Sequence, residues 1–318
     1  MKKLAAKIFA IALPFLLYFS VFVYFEPYNY FGLKEEAQNA DSAIARVRLF
    51  LKEQPENLIL GDSRMAHFDL EQVEACSGQS YGTLAFGGAA LNESIDLFWF
   101  AVENDPNLKS VVMGVSFYTL NQNYYKDRMS QISTIVSNPL AYLLNFDYNL
   151  EMLNQIRYTL AGVETGAKQE EGIWPEENYL YEDGTPRPHR TDLVDYAQTI
   201  YGICEGYTLN EENITRLIEV ADYCAANDIR FTVVMPPVDS SITDLVLEPL
   251  GIDKVIEGYL PRLTAHMRVL NYEHPRLAWE QNHFYDGFHL DPVRGLPEFT
   301  VMLFQYDLNS SKGMPDGH

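Results

Sequence analysis

Two short stretches of this 318-residue chain carry side chains that could act together on a substrate. The first reads Leu60-Gly61-Asp62-Ser63-Arg64 and closes the apolar run 57–60. The second reads Phe284-Tyr285-Asp286-Gly287-Phe288-His289. A serine hydroxyl becomes a nucleophile when a base takes its proton, and the base needs a carboxylate to hold its tautomer. An aspartate three residues before a histidine can supply both from one loop. Asp286 would turn back to Nδ1 of His289, Gly287 would permit the tight turn, and Nε2 would be left facing Ser63. These residues also have ordinary uses, since Asp62 or Ser63 can simply cap a helix. His67, four residues after Ser63, is a rival base, but a shared helix aims it along the axis. His283, Asp286 and His289 recur at three-residue spacing and could hold zinc. A metal leaves Ser63 without a role, whereas a triad uses it.

The elements around these stretches decide whether they can meet. Short apolar runs at 57–60, 81–86, 110–115, 230–235 and 268–272 read as buried parallel strands. Helices are expected from the first strand's loop to about 75, and at about 89–103, 210–227, 244–267 and 292–306. The implied fold is α/β, a flavodoxin-like three-layer sandwich around a parallel sheet of about five strands. In such sheets ligands bind beyond the C-terminal strand ends, so the loops after the first, second, third and last strands should converge. The alternation breaks at about 117–208, which is rich in Tyr, Asn, Glu and Pro and holds one clear helix at about 139–160. This block reads as an insertion within a domain spanning 57–318.

Lys2, Lys3 and Lys7 precede an uncharged run of 18 residues, Ile8 to Phe25. At 1.5 Å per residue it spans about 27 Å, close to a hydrocarbon core of about 30 Å. The lysines keep its N-terminal end in the cytoplasm and send the rest of the chain outward. Bulky Tyr24, Phe25, Tyr28 and Tyr30 follow in place of a small-residue cleavage site, so an uncleaved anchor at 1–25 is expected over a signal peptide. Residues 26–56 would be the juxtamembrane connection. Cys76, Cys204 and Cys224 have no metal-like spacing. One disulfide would leave a thiol over, and buried free thiols are the expected state. Lys and Arg total 23 against 44 Asp and Glu, a formal charge of −21. That balance excludes a basic face for nucleic acid or for peripheral membrane binding. An apolar share of 47% excludes a disordered chain.

With Gly61-Asp62-Ser63 near the start and Asp286-x-x-His289 near the end, the chain resembles the SGNH hydrolase superfamily, the GDSL esterases. The resemblance covers roughly residues 57–120 and 210–305. It implies Ser63 as nucleophile, His289 as general base, Asp286 as its orienting carboxylate and no cofactor. It implies an oxyanion hole from the Ser63 N–H, the N–H of Gly88 or its neighbour Gly87, and an Asn side chain after the third strand. The last element departs from the pattern: Gly114-Val115-Ser116-Phe117 puts Ser116 at the Asn position. A lost oxyanion donor costs about 2.7–4 kcal/mol of barrier. Ser116 must then substitute, another group must enter, or activity is weak. Arg64 either faces the site and binds an anionic or carbonyl group, or is salt-bridged. His283 is a second candidate for substrate contact. The anchor and the insertion, with Trp174, Tyr179 and Tyr181, resemble the membrane-anchored alginate O-acetylation and teichoic-acid D-alanyl transfer proteins. Those work outside the bacterial membrane with a multispanning membrane-bound O-acyltransferase. The expectation is an extracytoplasmic serine esterase or O-acyltransferase acting on O-acyl, chiefly O-acetyl, esters of surface glycans. The alternative is a non-catalytic scaffold or glycan-binding protein on the same fold.

Overall fold

The computed structural model describes residues 2–34, 39–161, 193–273 and 283–309. Trp174, Tyr179 and Tyr181 lie outside the described residues. The chain divides into two compact units, Met1–Leu49 with Ser130–Glu171, and Phe50–Met129 with Gly172–His318.

The second unit is built on five parallel strands: β1 (Asn57–Leu60), β2 (Gly82–Thr83), β3 (Ser110–Gly114), β4 (Arg230–Met235) and β5 (Arg268–Asn271). Their order is β2-β1-β3-β4-β5, the flavodoxin-like arrangement expected. Leu58 and Leu60 point to one face and Ile59 to the other, and all three are fully buried. A strand with both faces covered is largely apolar, as 58–60 and 111–113 are, and the buried polar residues that open these strands satisfy each other through Ser110 Oγ–H to Asn57 Oδ1 at 2.7 Å. Ile59, Val112, Val234 and Leu270 form one face of the core with Phe68, Phe299 and Phe304. The order reverses at β1, whose neighbours are β2 and β3. Folds of this order bind ligands beyond the C-terminal strand ends at such a reversal.

Several boundaries differ from the sequence expectation, each for a local reason. Strand β2 keeps two residues, and its continuation follows β1 only through Leu84 N–H to Ile59 O and Phe86 N–H to Gly61 O. The expected 244–267 helix breaks into short turns at 240–250 and a helix at Ile252–Thr264, because Pro249 and left-handed Gly251 interrupt it. The closing helix starts at Gly295, not 292, because Asp291 accepts from the N–H groups of Val293, Arg294 and Gly295. It then widens into a π-turn over Val301–Asp307. The 117–208 block holds two helices that periodicity missed, Met129–Ser137 and Leu193–Cys204.

The first unit contains α1 (Lys2–Phe25), α2 (Pro139–Leu143) and α3 (Phe146–Leu160). The single helix expected at 139–160 is split because the Asn145 side chain accepts from Asp147 N and Tyr148 N and starts α3 afresh. Tyr30 stacks on Tyr142 at 4.1 Å, and the Tyr142 hydroxyl donates to Glu26 at 2.8 Å. Helix α1 is long and apolar enough to cross a membrane.

The β1 exit is crowded. Gly61 has φ +139°, and a Cβ there would lie 3.2 Å from the Gly114 backbone on β3. A Cβ on Gly114 would lie 2.2 Å from Met65. The two glycines let the turn carrying Ser63 press onto the sheet. Gly61→Ala is expected to cost about 2–4 kcal/mol, from backbone strain plus overpacking. Urea unfolding of the full chain in detergent checks this, and an unchanged midpoint would contradict it.

Candidate active site

Ser63 opens a four-residue helix, Ser63–Ala66, capped by Asp62, whose carboxylate accepts from Arg64 N at 2.9 Å. The cap leaves the half-buried Ser63 side chain at the C-terminal edge of β1. From the other end of the chain, Asp286 and His289 arrive on one tight loop. Gly287, at φ +78°, makes the turn, and Asp286 accepts from the N–H groups of Phe288 (2.9 Å) and His289 (2.6 Å). The second Asp286 oxygen lies 2.7 Å from His289 Nδ1. His289 Nε2 lies 2.7 Å from Ser63 Oγ. Residues 226 positions apart thus form a continuous Asp–His–Ser chain.

Hydrogen bonds and rings hold the histidine in place. Asp286 is 3% exposed, so its bonds form out of water, where they are stronger. Tyr285 stacks on the imidazole at 5.6 Å, Phe288 meets it edge-on at 5.2 Å, and Tyr196 lies at 5.9 Å. Burial, then the Asp286 charge, raises the Tyr196 and Tyr285 hydroxyls well above the usual phenol range, so both stay neutral.

The Ser63 N–H opens the short helix, where no intrahelical carbonyl is available to accept from it. The turn at 86–89 closes through Ala89 N–H to Phe86 O. Gly88 sits there at φ +62°, where a side chain would be strained, and Gly87 is exposed beside it. The Gly88 carbonyl accepts from Lys126 Nζ (2.8 Å), Arg128 Nη2 (2.9 Å) and the Tyr124 hydroxyl (3.1 Å). Arg128 is itself held by buried Glu93 at 2.6 Å.

No protein-family model matches this chain, and no curated protein sequence matches it. Solved structures similar to it include an inferred acylhydrolase from Bacteroides fragilis, at TM-score 0.39 and 11% identity over 86% of this chain and 97% of that one. A GDSL-like lipase from Bacteroides thetaiotaomicron gives 0.36 and 11% over 83% and 96%. An inferred lipolytic protein of the G-D-S-L family from Desulfitobacterium hafniense gives 0.34 and 9% over 79% and 95%. At these levels the geometry of the site, not the likeness, carries the functional reading.

Two expectations need correction, and one open choice is decided. Ser116 is 1% exposed and its hydroxyl donates to Asp62 at 2.6 Å, so its one proton is committed and cannot also serve an oxyanion. The Tyr118 hydroxyl donates to the same Asp62 oxygen at 2.8 Å. Of the two readings of Arg64, the salt-bridged one holds. Arg64 is 6% exposed, donates to Glu273 (3.0 Å) and Pro236 O (3.3 Å), and lies over the Phe288 ring at 4.2 Å. His283 Nε2 pairs with Glu298 at 2.8 Å and braces the closing helix, so it is not placed as a substrate contact. Sequence reasoning missed Glu273, Tyr196, Tyr285 and the Lys126–Arg128–Tyr124 clamp. His67 is exposed at the far end of the Ser63 helix, and His289 occupies the base position. All three cysteines are free, and burial raises Cys204 and Cys224 to about 12.

Proposed function

We propose that the protein is a serine esterase or O-acyltransferase that cleaves O-acyl esters through an acyl-enzyme. The observation that carries this reading is the Ser63–His289–Asp286 chain, with both links at 2.7 Å. Ser63 Oγ attacks the ester carbonyl while His289 Nε2 takes its proton. Asp286 stabilises the resulting imidazolium. The N–H groups of Ser63 and Gly88 hold the oxyanion. On collapse, the ester C–O bond breaks and His289 returns the proton to the leaving alcohol. His289 then activates the acceptor, water for an esterase or a sugar hydroxyl for a transferase. The aromatic rings around His289 suit a glycan substrate. Helix α1 would hold the catalytic unit outside the cell membrane, with Lys2, Lys3 and Lys7 inside. A multispanning O-acyltransferase as acyl source rests on the family resemblance alone.

A fluorophosphonate probe applied to the full chain in detergent tests the reading. Labelling at Ser63, abolished in Ser63→Ala, is expected. No labelling of folded protein would favour the non-catalytic scaffold, which the commitment of Ser116 to Asp62 also favours.

The clamp on the Gly88 carbonyl fixes the turn that presents the Gly88 N–H. Lys126→Met is therefore expected to lower kcat about tenfold, less than loss of a whole donor, with KM nearly unchanged. Steady-state kinetics on an acetyl ester separates this from a binding role, in which KM would rise instead.

A further inference from the structure

The first unit carries an apolar surface that ester chemistry does not use. On α3, Phe146, Leu150, Leu153 and Leu160 are 77%, 46%, 53% and 84% exposed. Their spacing of four, three and seven residues puts them on one face of the helix. Met152 and Gln155 are buried, and Tyr148 packs on Tyr28 and Tyr142. The helix therefore has a packed face and an outward face that is largely apolar, where a helix meeting water should be polar, and exposed Arg157 near its end can reach from that face to lipid headgroups. Leu140 on α2 and Leu144 at the α2–α3 corner, 62% and 70% exposed, extend the stripe.

The contacts of this corner tie it to α1. The Tyr18 hydroxyl of α1 donates to the Asn149 side chain, and Phe22 of α1 meets the Tyr142 ring edge-on at 5.4 Å. Both partners belong to the last part of the candidate membrane span, whose apolar window is only 6% buried. Tyr18 lies seven residues, about 10 Å, before the end of α1 at Phe25. A residue bonded at that depth stands within the leaflet that α1 leaves, the outer one if the lysines stay inside.

We infer that α2 and α3 are seated in the outer leaflet of the bilayer, with Leu140, Leu144, Phe146, Leu150 and Leu153 among the lipid chains. The inference rests on the reading of α1 as a membrane anchor. The hairpin then acts as a second, interfacial attachment that fixes the orientation of the first unit on the membrane, which one helix alone leaves free to rotate.

Spin labels test it on the full chain in phosphatidylethanolamine–phosphatidylglycerol nanodiscs. The background is Cys76→Ala, since Cys204 and Cys224 are buried. Labels go on Leu144→Cys, Phe146→Cys and Leu150→Cys, with Ile11→Cys as the span reference and Glu212→Cys as the water reference. The expected result is an oxygen-to-nickel-chelate accessibility at 144, 146 and 150 several-fold above Glu212 and near Ile11. Quenching of Phe146→Trp fluorescence by brominated lipid repeats the test without a label. Protection at Ile11 but water access at 144, 146 and 150 overturns the inference and leaves the anchor standing. Protection of those sites only in native membranes also overturns it, in favour of a protein partner. Water access at Ile11 as well removes the anchor reading and this inference with it.

Discussion

Ser63→Ala or His289→Ala is expected to lower kcat by roughly 10⁶, and Asp286→Asn by roughly 10⁴, with double variants little worse than the single ones. The first two remove the nucleophile or the base, and each is useless without the other. The Asp286→Asn effect follows from the loop's own hydrogen bonds. One Asp286 oxygen accepts from two backbone N–H groups, Phe288 and His289. An asparagine must keep its carbonyl there, because an amide NH₂ cannot accept. Its NH₂ is then turned to His289 Nδ1, which must become the acceptor. The imidazole proton moves to Nε2, facing Ser63, where an acceptor is needed. The histidine stays in place in the wrong tautomer. Single-turnover acyl release from an acetyl ester measures all three, with a crystal structure or melting curve of Asp286→Asn to show an intact loop. A loss below about tenfold in Asp286→Asn would mean that Asp286 is only a loop brace.

The residues of this chain were legible in the sequence because each is tied to a strand end. The runs 58–60 and 233–235 are apolar up to the strand's C-terminal end, so the edges that carry Ser63 and the later loops are easy to locate. Gly287 marks the turn that folds Asp286 back on His289. What was not legible depends on side chains distant in sequence. Whether Arg64 faces a ligand or an acid is decided by Glu273, 209 residues away. A clue was present, since Glu273 directly follows the expected last strand, at the same sheet edge as Arg64. Ser116 looked like a substitute oxyanion donor because spacing aligns it with the family's Asn. Its proton is taken by Asp62, which spacing does not show. The Gly88 clamp comes from the irregular loop at 124–128, where no periodicity marks which side chains turn inward.

Arg64→Met is expected to destabilise the protein by about 3–5 kcal/mol, because it strands buried acid. Glu273 is 3% exposed, and one of its oxygens has no hydrogen-bond partner among the described residues. The other oxygen accepts from Arg64 and from Phe117 N–H at 3.2 Å. Arg64 also serves Asp62, 3.7 Å from its Nε. Burial raises Glu273 to about 7, against the pull of Arg64 and the Phe117 N–H, while the nearby Asp62 charge adds to the rise. Cys204, Tyr207 and Tyr259 also neighbour it, and burial raises all three, keeping them neutral. Between the unfolded carboxyl near 4.5 and the folded one near 7, the native state holds a proton that the unfolded state has lost. Stability from this group therefore falls as pH rises through that window and levels off above it. Without Arg64 the folded value climbs further, so the variant should keep losing stability above pH 7, by up to about 1.4 kcal/mol per pH unit. Urea unfolding at pH 7, 8 and 9 compares the two, and Arg64→Met with Glu273→Gln should abolish the added slope. Parallel pH profiles for wild type and Arg64→Met would show that Glu273 does not depend on Arg64 for its charge.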